Sequence, residues 1–168
     1  MKHLILGGAR SGKSRHAEQL AAQAGRDVVY VATAEALDEE MAARIAHHRV
    51  QRPAGWSLVE EPLALARVLH REAAADRCLL VDCLTLWLGN LLAQGDERMA
   101  QEMDELYAVL PELPGDVLLV SNEVGWGIVP DNPLARRFRD EAGRLHQRLA
   151  QLCDRVTLVA AGLPLSLK

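Results

Sequence analysis

The sequence predicts an α/β fold, with a mostly parallel open sheet and helices on both faces, and three observations carry that prediction. Short apolar runs alternate with longer segments of helical period along the whole chain. Most of the runs are apolar throughout, as strands covered on both faces must be. The first run leads straight into "GGARSGKS" at residues 7–14, a glycine-rich turn of the kind that joins a strand to a helix at the edge of such a sheet.

In order along the chain, "HLIL" is the first strand and residues 13–24 the first helix. "DVVYVAT" is the second strand, followed by a charged helical segment at 37–50. "WSLVEEP" reads as a shorter strand away from the centre of the sheet, and 63–74 as a helix. "CLLVDC" is a buried strand, and "DCLTLWLGNLL" starts a helical pattern just after it. A helix at 97–110 stops at "PELPGD", where proline and glycine impose a turn. "DVLLVSN", a long helix at 133–153 and the strand "RVTLVAAG" complete the pattern, with no internal repeat or low-complexity linker.

A chain of 168 residues can bury one full core and is short for two, so one domain spanning 1–168 is expected. Apolar residues make up 49% and charged residues 25%, a globular rather than a disordered balance. The net charge of −4, with no run of lysine or arginine longer than a pair, argues against a nucleic-acid surface and leaves room for a small anion in a local pocket. Cys78, Cys83 and Cys153 have no C-x-x-C spacing, which suggests neither a zinc site nor a disulfide framework and fits a reducing compartment. The apolar run at the start is too short for a signal-peptide core or a membrane span, so a cytoplasmic protein is expected.

The glycine-rich turn carries the strongest chemical signal. Gly7-Gly8-Ala9-Arg10-Ser11-Gly12-Lys13-Ser14 matches G-x-x-x-x-G-K-[ST], between a strand and a helix as the motif requires, and makes the fold P-loop NTPase-like. Its glycines let successive N–H groups turn toward phosphate oxygens, and the helix N-terminus adds a positive field. In that setting Lys13 reaches the β- and γ-phosphates of ATP or GTP, Ser14 holds Mg²⁺, and Arg10 is a further clamp. The metal also calls for a carboxylate on a neighbouring strand, and Asp82 ends the run "CLLVDC". Asp82 reads as a metal ligand or general base, or as the N-cap of the following helix.

That much fits many small nucleotide-dependent kinases, or a nucleotide-gated binding module. "ARIAHHRVQRP" adds two adjacent histidines. Leu37, Met41 and Ile45 form an apolar stripe, His48 rims it, and His47 falls on the polar face. Adjacent helical residues point apart, so the two do not readily share one metal ion. By periodicity His47 is a solvated surface residue; by chemistry a neutral imidazole there can attack phosphorus. Spacing leaves both open.

"SNEVGWGIVP" sets Gly125 and Gly127 around Trp126 after a strand, either a simple turn or a nucleotide or substrate contact at the sheet edge. The helix "ARRFRDEAGRLHQRLAQL" offers arginines for phosphate, or a solvated face of Arg–Glu and Arg–Asp pairs.

Taken in order, "GGARSGKSRHAE", "YVATAEALDEEMAARIAHHRVQRP", "VDCLTLWLGNLL", "SNEVGWGIVPDNPLARRFRDEAGRLHQRLA" and the closing "GLPLSLK" resemble the bifunctional adenosylcobinamide kinase and adenosylcobinamide-phosphate guanylyltransferase family of cobalamin biosynthesis. The resemblance runs over almost the whole chain and implies two reactions. A phosphoryl group passes from ATP or GTP to the aminopropanol hydroxyl of adenosylcobinamide. GMP then passes from GTP, through a histidine, to adenosylcobinamide phosphate, giving adenosylcobinamide-GDP. The family motif places the guanylylated histidine at His47. It also raises Asn122 and Glu123 as functional candidates, puts Asp82 where some members carry glutamate, and implies a homo-oligomer, in some members a homotrimer.

Overall fold

A computed structural model describes residues 1–34, 53 and 55–168. Seven strands, β1 (Lys2–Gly7), β2 (Asp27–Ala32), β3 (Ser57–Glu60), β4 (Arg77–Asp82), β5 (Asp116–Asn122), β6 (Arg155–Ala160) and β7 (Leu163–Ser166), form one sheet in the order β3-β2-β4-β5-β1-β6-β7. All neighbouring pairs are parallel except β6 and β7. The helices are α1 (Lys13–Gln23), α2 (Leu65–Glu72), α3 (Leu84–Gln94), α4 (Asp96–Val109) and α5 (Pro133–Leu152), with a 3-10 turn at Leu110–Glu112. The helix expected at 37–50 lies outside the described residues.

Side chains alternate across a strand, so each central strand feeds two cores. Leu4, Leu6, Val29, Val31, Leu79, Val81, Val117 and Leu119 pack with the apolar stripes of α2 to α5, including fully buried Trp87, whose indole N–H donates to the Leu63 carbonyl at 2.7 Å. Ile5, Val28, Tyr30, Leu80, Leu118 and Val120 pack on Ala17 and Ala21 of α1. Those small residues let α1 approach the strands closely, which fixes the loop that precedes it.

Start and stop chemistry accounts for several boundaries. The Asn132 side chain accepts from the N–H groups of Leu134 and Ala135, and Pro133 at the first helical position needs no N–H partner. The strand expected to reach residue 162 ends at Ala160 instead. Ala161 and Gly162 have φ of 51° and 77°, the positive pair that a two-residue hairpin turn requires, and β7 returns antiparallel beside β6. Pro164 is tolerated there because β7 is the edge strand. At the other edge lies β3, as expected for the shorter run.

Gly115 leads into β5 with φ of 70°, and a Cβ there would strike the Ala74 carbonyl oxygen and lie 2.5 Å from that of Arg77. Backbone atoms cannot swing aside. Gly115→Ala should therefore cost about 3 kcal/mol of stability, combining left-handed strain with overpacking. The check is a thermal melt, expected to shift down by roughly 10 °C for a chain of this size; a shift within 2 °C, about 0.5–1 kcal/mol, would mean that the turn relaxes freely.

Candidate functional site

The site grows from the junction of β1 and α1, at the edge where the parallel strands end. Gly7 closes β1 opposite Asn122 of β5 and Val159 of β6. A Cβ on Gly7 would meet the Ser11 hydroxyl and lie 2.6 Å from the Val159 carbonyl oxygen, so only glycine lets the loop turn here. Arg10 and Gly12 both take positive φ, 56° and 92°, and the Ser11 N–H donates to the Gly8 carbonyl at 3.2 Å. The loop is also braced from behind. Gly162 of the β6–β7 turn donates its N–H to the Ser11 carbonyl at 2.8 Å, and its Cα would sit 3.2 Å from a Cβ on Gly12.

Lys13 is the first residue of α1 and is buried, with Nζ donating to the Gly8 carbonyl at 3.3 Å. Its ammonium thus curls back over the loop. Ser14 follows on the first turn, where helical N–H groups have no partner within the helix. Loop amides, helix N-terminus and a buried lysine together suit an anion of phosphate type.

The carboxylate expected on a neighbouring strand is placed differently. β5 lies between β1 and β4, so Asp82 ends the strand one removed from the loop. The residue beside the loop is Glu123, just past β5, whose N–H donates to the Gly7 carbonyl at 3.0 Å. The N-cap reading of Asp82 is also corrected, because the N-cap position of α3 is Cys83. Burial pushes the Cys83 thiol pKa up, the adjacent Asp82 charge adds to that, and the Thr85 hydroxyl and, last, the Lys13 charge oppose it.

Two threonines that sequence reasoning did not single out fix this edge. Thr33 Oγ1 donates to the Cys83 carbonyl at 2.7 Å and accepts the Cys83 N–H at 3.0 Å, clamping the backbone next to Asp82. Thr85 Oγ1 accepts from the Asn122 N–H at 3.2 Å and from its Nδ2 at 3.0 Å, which orients Asn122. Asn90 donates to the Thr33 and Pro62 carbonyls at 2.9 and 3.1 Å, bracing the same corner from α3.

His146 was missed as well. It lies on the buried stripe of α5 with Ala142, Leu145 and Leu149, and its Nε2 is 2.7 Å from Ser121 Oγ. Its Nδ1 is 3.6 Å from Glu123 Oε2, while Glu123 Oε1 accepts the Gly125 N–H at 2.7 Å. Burial lowers the His146 pKa, and the Glu123 carboxylate pulls it back up. The helical period of the stripe was the available signal. The arginines of α5 take the solvated reading in part, with Arg144–Glu141 at 2.6 Å and Arg139–Asp140 at 3.0 Å.

His47 and its neighbour His48 lie outside the described residues. Among the described residues, no group of three or more His, Cys, Asp or Glu could hold a metal by itself. No helix among them is long and apolar enough to cross a membrane.

Fold and loop together define an α/β P-loop protein of the nucleotide-handling type. The crystal structure of the RadB recombinase shares the fold, with a TM-score of 0.56 over 94% of this chain and 73% of that one at 17% identity. The family model described as cobinamide kinase / cobinamide phosphate guanyltransferase matches residues 3–167, and the chain belongs to that family of bifunctional enzymes. It is 60% identical over 169 residues to the bifunctional adenosylcobalamin biosynthesis protein CobP of Pseudomonas aeruginosa, covering 100% of this chain and 98% of that protein. It is 45% and 43% identical to the CobU proteins of Salmonella typhimurium and Escherichia coli, each bearing the same descriptive name and covered completely along with this chain.

Proposed function

We propose that residues 1–168 act as one cytoplasmic domain that phosphorylates adenosylcobinamide and then guanylylates the product in cobalamin biosynthesis. The observation that carries this is the braced loop at residues 7–14 with Lys13 buried at its end, in a chain of the cobinamide kinase / guanyltransferase family. The aminopropanol hydroxyl attacks the γ-phosphorus of ATP or GTP, the bond to the β-phosphate oxygen breaks, and the diphosphate leaves. Loop amides, Lys13 and Arg10 hold the phosphate chain, and Asp82 serves as acceptor of the hydroxyl proton or as metal ligand. In the second reaction a nitrogen of His47 attacks the α-phosphorus of GTP and pyrophosphate departs. A phosphate oxygen of adenosylcobinamide phosphate then attacks the same phosphorus, the P–N bond breaks, and the imidazole is restored.

Mg²⁺ fits the donor set: the Ser14 hydroxyl and the Asp82 carboxylate are hard oxygen ligands, and such an ion takes the rest from phosphate and water. Bound there, it would neutralise charge on the phosphate chain. Asn122 and Glu123 stand at the same edge as contacts to nucleotide or substrate. A homo-oligomer, a trimer in particular, is the assembly proposed.

The test is incubation with Mg²⁺ and GTP, then intact-mass analysis and peptide mapping, beside a phosphoryl-transfer assay on cobinamide. A GMP-sized adduct at His47, stable in base and lost in acid, together with turnover of cobinamide, is expected. Nucleotide binding with no adduct and no turnover would reduce the chain to a binding module.

A further inference from the structure

The loop between β5 and α5 exposes more apolar surface than a connection needs. Trp126 is 76% exposed, Ile128 96% and Val129 59%, and Leu134 in the first turn of α5 is 62% exposed, four large side chains within nine residues. Scattered exposed leucines are ordinary, whereas several hundred Å² of apolar surface on one short segment marks a binding surface. The loop is also held. At one end Glu123 is bonded to Gly7 and caps Gly125, where a Cβ would come within 2.9 Å of the Glu123 carboxylate. At the other, Asn132 caps α5, and Arg136 Nη1 donates to the Pro130 and Asp131 carbonyls at 2.8 and 2.7 Å. The segment that presents these side chains is therefore anchored at both ends, which lowers the ordering cost of binding.

Topology fixes where this surface lies. β5 ends at the phosphate edge, and the Glu123 N–H bond to the Gly7 carbonyl ties the start of the segment to the start of the phosphate loop, with Trp126 three residues further on. Phosphates need cations and several N–H donors, and these four side chains offer one indole N–H and no charge. An acceptor molecule whose ring edge carries methyl groups between its amide arms can use what they offer.

We propose that Trp126, Ile128, Val129 and Leu134 form the seat of the corrin macrocycle, holding its methyl-studded rim while the aminopropanol arm reaches the phosphate loop. This rests on the functional reading above and assigns the acceptor's large ring to one surface. The segment that carries the seat starts at Glu123, bonded to Gly7 of the phosphate loop, so one bound acceptor can stay in place as its arm is phosphorylated.

The experiment compares wild type with Trp126→Ala and Ile128→Ser, using cobinamide as the probe in equilibrium dialysis and in the kinase assay. Each substitution is on an exposed residue, and circular dichroism with GMP labelling by GTP controls for a folded nucleotide site. The expected result is a rise of about tenfold or more in the KM and Kd for cobinamide, as for loss of an aromatic or aliphatic anchor, with kcat moving far less. Values within twofold of wild type in both variants would overturn the proposal. So would altered sedimentation with unchanged cobinamide binding, which would assign the loop to contact between copies. Wild type that forms the GMP adduct yet neither binds nor consumes cobinamide would instead overturn the functional reading, and the seat with it.

Discussion

Replacing Lys13 with alanine should lower kcat/KM for phosphoryl transfer to cobinamide about 10²- to 10³-fold, the scale for losing one preorganised group that meets developing charge. The ammonium is buried at the first position of α1, and its bond to the Gly8 carbonyl is long at 3.3 Å. Little stability depends on it, roughly 1 kcal/mol or less for such a bond. Its burial is thus better explained by a ligand than by the fold. The melting temperature should stay within a few degrees while catalysis collapses. Lys13→Arg should not rescue, because a planar fork cannot replace a compact point charge in a closed loop. Steady-state kinetics beside a thermal melt separates the cases: activity within threefold of wild type would remove Lys13 from the phosphate site.

The parallel sheet was legible because its central strands are apolar on both faces, so "CLLV" and "DVLLV" stand out from the amphipathic segments between them. β7 was not, since Leu163 and Leu165 alternate with Pro164 and Ser166 in a short exposed strand that resembles a tail. Its turn nonetheless matters, because Gly162 braces Ser11. Strand order was hidden for a different reason. Nothing local in "DVLLVSN" says that it inserts between β1 and β4, and that insertion moves Asp82 one strand from the loop and brings Glu123 beside it. The loop itself was readable residue by residue because its glycines answer to local geometry: Gly7 to a close approach and Gly12 to a positive φ.

The same contrast separates the polar residues of the site. Lys13 and Ser14 belong to a contiguous motif whose meaning is local. Thr33, Cys83, Thr85, Asn90 and Asn122 come from three strand ends and a helix, and only the fold brings their hydrogen bonds into one corner. His146 lies between: its place on a buried stripe is periodic and readable, while its partners Ser121 and Glu123 are 25 and 23 residues away and are joined only when α5 packs on the sheet.

Replacing His47 with alanine should abolish the GMP-sized adduct formed with GTP, because no other group is proposed to attack the α-phosphorus. Phosphoryl transfer to cobinamide should persist, since the residues assigned to it, Lys13, Ser14 and Asp82, lie on β4 and at the start of α1. The two reactions would then separate in one variant, as a double-displacement scheme with its own nucleophile requires. His48→Ala is the decisive companion. In the helix that the sequence predicts at 37–50, adjacent positions would point about 100° apart, so two neighbouring imidazoles would not substitute for one another at one phosphorus. With His48→Ala the adduct should still form and map to residue 47. Labelling that survives His47→Ala but disappears in His48→Ala would transfer the nucleophile to the neighbour; labelling that survives both would place it elsewhere in the chain.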